Sequence, residues 1–177
     1  HVHSDPDELG RVYTPDIGIN ATAPAVLRAL ANAEHAGEWA AWTAAARADY
    51  EGWLQPQESP GDCKQEDVIK WLSDNLPDDA IISNGAGNYA AWLHRYFVYK
   101  GFGTQLAPTS GSMGYGFPAA ISASLHHPDR QVVCLAGDGC FQMTCNEMST
   151  AVQRGAKPIV IVMNNGRYGT ISMHQEK

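Results

Sequence analysis

Two polar side chains follow two apolar runs of the sequence, and together they could hold a hard divalent cation. Asp138 stands between two glycines directly after the run 132–136, and Asn165 follows the run 158–163. Carboxylate and carboxamide oxygens suit Mg²⁺, which takes few ligands from protein and others from water or a phosphate. The residues alone therefore suggest a magnesium ion that bridges a diphosphate.

The two apolar runs are predicted to be buried parallel strands, with a helix between them. The carboxyl edge of an open parallel sheet is where ligands bind, so Asp138 and Asn165 should meet there. Gly137 and Gly139 allow a close backbone approach, and the start of the next helix favours an anion. A simpler alternative is that Asp138 only caps a helix and the Asn pair only forms a turn. This explains each motif separately, but not why the two motifs occur together at one edge of the sheet.

A second glycine-rich turn, residues 84–88, follows another predicted strand at 80–83. Residues 85–90 match G-x-G-x-x-A, the dinucleotide fingerprint. That fingerprint needs an acidic residue about 20 positions later, and the stretch 103–106, G-T-Q-L, has none. A phosphate cradle without ribose recognition therefore fits better than a NAD site.

Composition and charge exclude several classes of protein. The chain has 177 residues, 44% hydrophobic and 18% charged, which suits one globular domain with part of another. The net charge is −7 and no basic run occurs, which disfavours nucleic acid and anionic membranes as partners. No apolar stretch approaches the roughly 20 residues of a membrane span. The four cysteines lack metal-finger spacing, and three lie in predicted strand or helix, which favours a cytoplasmic setting.

Helical spacing and punctuation predict the remaining elements. The predicted helices cover residues 23–34, 38–54, 62–75 and 89–99, and a further short strand lies within 102–108. Thr22 and Asp62 are the expected N-caps of the first and third helices. Trp39, Trp42, Ala46 and Tyr50 form a stripe on the second helix that is interpreted as packing. Residues 55–62 are the clearest linker.

G-D-G followed by N-N at this spacing resembles the cofactor motif of thiamine-diphosphate (ThDP) enzymes. Three further stretches extend the resemblance: T-S-G-S-M-G-Y-G-F-P-A-A at 109–120, Y-G-T-I-x-x-H-Q-E at 168–176 and D-P-x-E-x-G-R at 5–11. The last two are similar to the acetolactate-synthase-like branch. The resemblance implies an α/β fold with a mainly parallel, doubly wound sheet.

The same resemblance implies a division of the chain. Residues 1–34 would be the end of a central domain, 35–60 a linking helix and linker, and 61–177 a diphosphate-binding domain that is incomplete at its C-terminus. The 177 residues look like a piece of a longer protein, and we expect this piece alone to have no turnover and weak metal and diphosphate affinity.

The resemblance also assigns roles to individual residues. Asp138, the Asn165 side chain and the Arg167 backbone carbonyl would bind the metal. Met113 would wedge between the two cofactor rings, and the Gly111 carbonyl would accept a hydrogen bond from the 4′-amino group. The residues expected to contact the cofactor are Gly87, Asn88, Tyr89, Gly111, Met113, Gly137, Asp138, Gly139, Cys140, Asn165 and Thr170.

The implied activity is decarboxylation of a 2-oxo acid, carboligation to a second carbonyl compound, or both. In the family a glutamate from the pyrimidine-binding domain of another subunit activates the cofactor, which implies a homodimer or homotetramer. Whether FAD is also bound stays open. The alternatives are another ThDP branch, such as an oxalyl-CoA or benzoylformate decarboxylase or an aldehyde lyase, and a non-catalytic phosphate- or nucleotide-binding module.

Overall fold

The computed structural model describes residues 1–33 and 37–176. The chain forms two compact units, His1–Ala48 and Asp49–Lys177. The first unit contains strands β1 (Val2–His3) and β2 (Ile19–Asn20), which pair in parallel, a 3-10 helix (Pro6–Glu8) and helix α1 (Ala23–Leu30). The predicted domain limits at 34 and 60 stay predictions.

The N-terminal turn follows the sequence prediction. The Asp5 carboxylate accepts a hydrogen bond from the Asp7 backbone N–H at 3.0 Å, and Pro6 occupies the first turn of the 3-10 helix. Thr22 is the N-cap of α1, although its side chain makes no capping hydrogen bond. The helix ends at Leu30 rather than at Glu34, and Glu34 itself lies outside the described residues.

Helix α2 (Ala40–Trp53) corrects one interpretation. None of its described residues is buried, and Trp42 keeps 74% of its surface exposed. The predicted packing stripe of Trp39, Trp42, Ala46 and Tyr50 is therefore wrong as a buried face, because helical spacing predicts a shared face without saying what covers it. Trp53, at the end of α2, does have a contact: the Arg95 guanidinium lies 3.7 Å from its ring centroid.

The second unit is built around a four-stranded parallel sheet in the order β4-β3-β5-β6. Its strands are β3 (Ile81–Asn84), β4 (Gln105–Leu106), β5 (Val132–Gly137) and β6 (Ile159–Met163). Its helices are α3 (Gln65–Asn75), α4 (Ala90–Tyr96), α5 (Gly116–His126), α6 (Asp138–Gln142), α7 (Glu147–Arg154) and α8 (Gly169–Gln175). The predicted α/β class with a parallel sheet is confirmed.

The core lies on both faces of the sheet, as a doubly wound arrangement requires. Along β5, Val132 and Cys134 pack with α5 residues such as Phe117, whereas Val133 and Leu135 pack with α3 and α4. All six residues of β5 are buried. Since successive side chains point to opposite faces, a strand covered on both sides must be apolar throughout.

Three sequence predictions need correction here. The run 158–163 forms β6, but this strand lies at the sheet edge and is not fully buried, with Ile159 47% exposed. Helix α3 begins at Gln65 with Lys64 as an extended N-cap, so Asp62 does not cap it. Cys145 lies in the turn between α6 and α7, whereas Cys134 and Cys140 are in strand and helix as predicted.

Among the described residues, no helix is long and apolar enough to cross a membrane.

Candidate functional site

A cleft of about 490 Å³ opens at the carboxyl edge of the sheet. Its floor follows from the strand order: the chain passes from β3 to β4 on one side and then to β5 on the other. Loops leaving such a switch point diverge and leave a crevice between them. The turns after β3, β5 and β6 all contribute residues to the cleft.

Asp138 and Asn165 follow adjacent, paired strands. Gly137 of β5 is the partner of Met163 of β6, so Asp138 and Asn164 start from the same level of the sheet, with Asn165 one residue further. Both Asp138 and Asn165 line the cleft. The half-buried Asp138 carboxylate accepts no hydrogen bond from the described residues, so its oxygens are available to a ligand.

Side chain–backbone hydrogen bonds fix the turn that carries Asn165. The Gly166 N–H donates to Asn164 Oδ1 at 3.1 Å, and the Arg167 N–H donates to Asn165 Oδ1 at 3.2 Å. Such Asx turns are a usual way for asparagine to order a loop. The Arg167 backbone is therefore held two residues beyond Asn165, at the edge of the cleft.

Glycine at 137 and 139 lets neighbouring side chains pack closely on the central turn. A Cβ at Gly139 would lie 2.5 Å from Tyr168 Cε1 and 3.3 Å from Met113 Cε. A Cβ at Gly137 would lie 3.0 Å from Tyr89 Cε1. A larger residue at 139 would require the Tyr168 ring to move, and one at 137 would require a smaller shift of Tyr89, so glycine lets these rings pack closely on the turn.

One hydrogen bond joins the turn after β3 to the start of α8. Thr170 Oγ1 donates to Asn88 Oδ1 at 2.9 Å. A Cβ at Gly169 would lie 3.3 Å from Asn165 Nδ2 and 3.9 Å from Asn88 Nδ2. Asn88 is thus brought together with Asn165 and Thr170, which lie far from it in sequence, on one side of the cleft.

Tyr89 and Cys140 form the inner wall. The Cys140 thiol donates a hydrogen bond to the Ala86 carbonyl at 2.8 Å, which ties α6 to the turn after β3. The Tyr89 hydroxyl is buried without a hydrogen-bond partner in the described chain, and burial raises the pKa of Tyr89 well above its usual value. Tyr89 is therefore neutral and can serve as a hydrogen-bond donor.

The structure places eleven of the twelve predicted site residues on this cleft. They are Gly87, Asn88, Tyr89, Met113, Gly137, Asp138, Gly139, Cys140, Asn165, Arg167 and Thr170. Gly111 is not on the cleft lining of the described chain; it lies two residues before Met113 with φ of +69°. The roles given to all twelve stay predictions.

Sequence reasoning missed other residues of the lining. Tyr168 lies three positions after Asn165 and could have been included from that position alone. Cys63, Gln65 and Trp92 also line the cleft. They lie on or beside α3 and α4, far in sequence from the glycine turns and in no motif, so only the tertiary fold identifies them.

The residues present fit a magnesium diphosphate. Asp138 and Asn165 offer two oxygen ligand groups, and Mg²⁺ bound to phosphate uses one or two carboxylates from the protein with its other positions filled by phosphate and water. Gly137 and Gly139, which also line the cleft, have no side chains of their own beside these ligand groups. No group of three or more His, Cys, Asp or Glu residues able to hold a metal occurs in the described ranges.

Comparison with known proteins agrees with this geometry. Residues 85–177 match the family model described as thiamine pyrophosphate enzyme, C-terminal TPP binding domain. The acetolactate synthase large subunit of Corynebacterium glutamicum is 32% identical over 99% of the chain and 29% of that relative. Isozyme 1 of the same subunit from Escherichia coli is 31% identical over 99% of the chain and 32% of the relative. The chain thus spans about a third of the curated relatives it matches.

A solved structure gives the same result at the level of fold. A thiamine diphosphate-dependent 4-hydroxybenzoylformate decarboxylase from Rhodococcus jostii RHA1 superposes with a TM-score of 0.73 and 25% identity. The alignment covers 99% of this chain and 32% of the decarboxylase. Since the family model covers more than half of the chain, including the glycine turn and the Asn pair, the chain belongs to the thiamine pyrophosphate enzymes and carries their C-terminal TPP-binding domain.

Proposed function

We propose that this chain is the part of a ThDP- and Mg²⁺-dependent enzyme that binds the metal and the cofactor diphosphate, and that the whole enzyme acts on 2-oxo acids. The reaction is decarboxylation, carboligation or both, as in acetolactate synthases. One observation carries the proposal: Asp138 and Asn165 follow adjacent paired strands and line the same cleft.

The residues of the cleft have distinct tasks in this proposal. Asp138, the Asn165 carboxamide and the Arg167 carbonyl hold Mg²⁺. The turn at Gly87, Asn88 and Tyr89 holds the diphosphate, as do the turn at Gly137, Gly139 and Cys140 and the side chain of Thr170. Backbone N–H groups suit phosphate oxygens because they are donors in fixed positions.

Met113 and Gly111 serve the organic part of the cofactor. The Met113 side chain, beside Gly139, would support the two rings of the cofactor, and the Gly111 carbonyl would accept a hydrogen bond from its 4′-amino group. The bound cofactor supplies a thiazolium ring that accepts the electron pair released when a 2-oxo acid loses CO₂. This chain's residues therefore bind and orient, while the hard chemistry belongs to the cofactor.

The whole enzyme needs further parts in this proposal. A pyrimidine-binding domain of another subunit completes the site, so the functional form is a homodimer or homotetramer in the cytoplasm. The domain limits proposed are 1–34, 35–60 and 61–177. FAD binding is not decided by these residues.

A second candidate is decarboxylation without carboligation. The structural likeness to a 4-hydroxybenzoylformate decarboxylase supports it. Product analysis of the complete enzyme with pyruvate or an aromatic 2-oxo acid separates the two, because carboligation gives a hydroxy ketone product and simple decarboxylation gives an aldehyde.

Calorimetry tests the proposal on the chain itself. We expect Mg²⁺ with ThDP to give a weak binding signal, as suits this piece alone, and Mg²⁺ with ADP to give none at equal concentration. Equal or stronger binding of ADP would contradict the proposal and favour a nucleotide-binding module. Asp138→Ala should abolish the ThDP signal, whereas Asp129→Ala, in the exposed turn before β5, should leave it unchanged.

A further inference from the structure

The segment that carries Met113 is held by contacts that the proposed function does not use. Residues 109–115 lie between β4 and α5, and two of their glycines, Gly111 and Gly114, have φ of +69° and +83°. Glycine leaves the backbone free to adopt several conformations, so these residues alone do not keep the segment in one place. Contacts with the rest of the fold have to do so.

Helix α6 lies along this segment. A Cβ at Gly139, near the start of α6, would lie 3.3 Å from Met113 Cε. A Cβ at Gly114 would lie 3.2 Å from Met143 Cβ and 3.2 Å from Thr144 Cγ2, which directly follow α6. The Met113 side chain therefore meets one end of α6, and the backbone of the next residue meets the other end.

Thr144 makes a hydrogen bond to the segment. Its hydroxyl donates to the Gly114 carbonyl at 3.0 Å. Gly114 is buried, so a loss of this donor would be costly for its carbonyl. Thr144 is itself fixed, because its N–H donates to the Phe141 carbonyl at 3.2 Å and its carbonyl accepts from the Glu147 N–H at 3.0 Å. The hydroxyl thus fastens the residue after Met113 to the turn between α6 and α7.

A second hydrogen bond holds the start of α5. The Ser83 hydroxyl donates to the Gly116 carbonyl at 2.9 Å, and Ser83 is fully buried in β3. Of the two bonds, that of Thr144 is the closer to Met113 along the chain. Thr144 is also only half-buried, so it can be changed with less effect on the core than Ser83.

We propose that Thr144 is a positioning residue for Met113. By holding the Gly114 carbonyl, its hydroxyl keeps the Met113 side chain beside Gly139 before any ligand binds. The role rests on the proposed function only for what Met113 is held for, the organic part of the cofactor. Thr144 lies outside the cleft lining of the described chain, so it acts through the segment. A side chain that is already ordered loses less freedom on binding, which favours affinity.

Two substitutions separate the hydroxyl of Thr144 from its packing. Thr144→Val keeps a methyl group against Gly114 and loses the hydrogen bond, whereas Thr144→Ser keeps the hydroxyl and loses the methyl group. Thr150→Val is the matched control, because the Thr150 hydroxyl donates to Glu147 Oε2 at 2.7 Å within α7 and not to the segment.

The first measurement uses the chain without ligand. With ¹³C-labelled methyl groups on the five methionines, NMR relaxation measures the order of each methyl group, and Met113→Leu identifies the Met113 signal. We expect Thr144→Val to lower the order of the Met113 methyl group. Thr144→Ser and Thr150→Val should leave it as in wild type, and Met173, on α8, should not change in any variant. An unchanged Met113 in Thr144→Val would overturn the role, as would a change in Thr144→Ser alone, which would indicate packing.

The second measurement compares two ligands by NMR titration in the presence of Mg²⁺. Thr144→Val should weaken ThDP binding about fivefold and leave pyrophosphate binding unchanged, because pyrophosphate has no rings for Met113 to contact. Equal losses for both ligands would show that Thr144 supports the whole turn at Gly139, and the role would be wrong. A wild-type chain that does not prefer ThDP to ADP would contradict the proposed function instead, and the order of Met113 without ligand would still decide the role of Thr144.

Discussion

β5 and β6 are adjacent parallel strands with equally apolar sequences, V-V-C-L-A-G and I-V-I-V-M, yet their surroundings differ. Every residue of β5 is buried, whereas β6 exposes Ile159 by 47% and Val162 by 39%. The difference arises from topology, since β5 has a strand on each side and β6 pairs only with β5 among the described strands. An apolar run therefore predicts a strand but not its position in the sheet.

The carboxyl ends of the two strands also differ in their exposure. β5 runs without a break into α6, whose first residue is the half-buried Asp138. β6 ends in an exposed loop, in which Asn165 is held by the hydrogen bond from the Arg167 N–H. One proposed metal ligand is thus placed by secondary structure and the other by a turn.

The largest difference between the two strands is expected for the pair Val133→Asp on β5 and Val162→Asp on β6. Val133 is fully buried, so the aspartate would leave an unpaired charge in the core and cost more than about 4 kcal/mol in the free energy of unfolding. Val162 is 39% exposed, and its variant should lose less than about 1 kcal/mol. Urea denaturation followed by circular dichroism measures both, and similar losses would show that β6 is as buried as β5.

Gly116→Ala tests how closely the start of α5 approaches the end of β3, the strand beside β5. A Cβ at Gly116 would lie 2.8 Å from the Gly85 backbone nitrogen, which cannot move aside as a side chain could. We expect a loss of about 1–3 kcal/mol in unfolding free energy. Gly52→Ala, on α2 with nothing within 4 Å, is the matched control and should stabilise by about 0.5–1 kcal/mol. A Gly116→Ala variant as stable as wild type would contradict the close approach.

Lowering the pH tests how much the buried Glu66 of α3 contributes to stability. Helix α3 packs on one face of the sheet that contains β5. The pKa of Glu66 is about 2 in the folded chain, below its ordinary value of 4.5. Its stabilising contribution is therefore complete above pH 4.5 and is lost as the pH falls toward 2. Thermal unfolding across this range should decline less steeply in Glu66→Gln than in wild type. In Ser59→Ala, which removes the hydroxyl donor, the folded-state pKa of Glu66 moves back toward 4.5, so the decline should be smaller and should end at a higher pH; identical profiles would rule out this role.

Thr170→Val, on α8 after the end of β6, should have the smallest effect on stability. The variant removes the hydrogen bond to Asn88, which is exposed, so the free energy of unfolding should fall by less than about 0.5 kcal/mol. Hydrogen exchange should nevertheless accelerate at residues 169–172 and not along β5, because local opening of α8 no longer breaks this bond. Unchanged exchange in α8 would mean that the bond does not hold it.

The sequence predicts the parts of this molecule that depend on local pattern. Strand–turn–helix order places Asp138 and Asn165 at one sheet edge, and glycines mark the turns that a ligand approaches. Gln65 and Trp92 could not be found in this way, since they reach the cleft only through the packing of α3 and α4. The start of α3 also differs from the prediction, because capping preference favours Asp62 whereas the chain stays extended at Lys64.

The exposed face of α2 shows the same limit. Its aromatic residues have helical spacing, but spacing does not tell whether anything covers them, and the described residues of α2 are not buried. Propensity and periodicity are local, whereas burial depends on which elements meet in three dimensions.

Asp138 and Asn165 are proposed to bind one Mg²⁺ that holds a diphosphate. Calorimetric titration of Mg²⁺–ThDP into Asp138→Ala, Asn165→Ala and the double variant tests it most directly, with circular dichroism to verify folding. If both side chains share one ion, each single variant abolishes the binding seen in wild type, and the double variant is no worse than either. A folded Asn165→Ala variant that binds Mg²⁺–ThDP as tightly as wild type would contradict the claim.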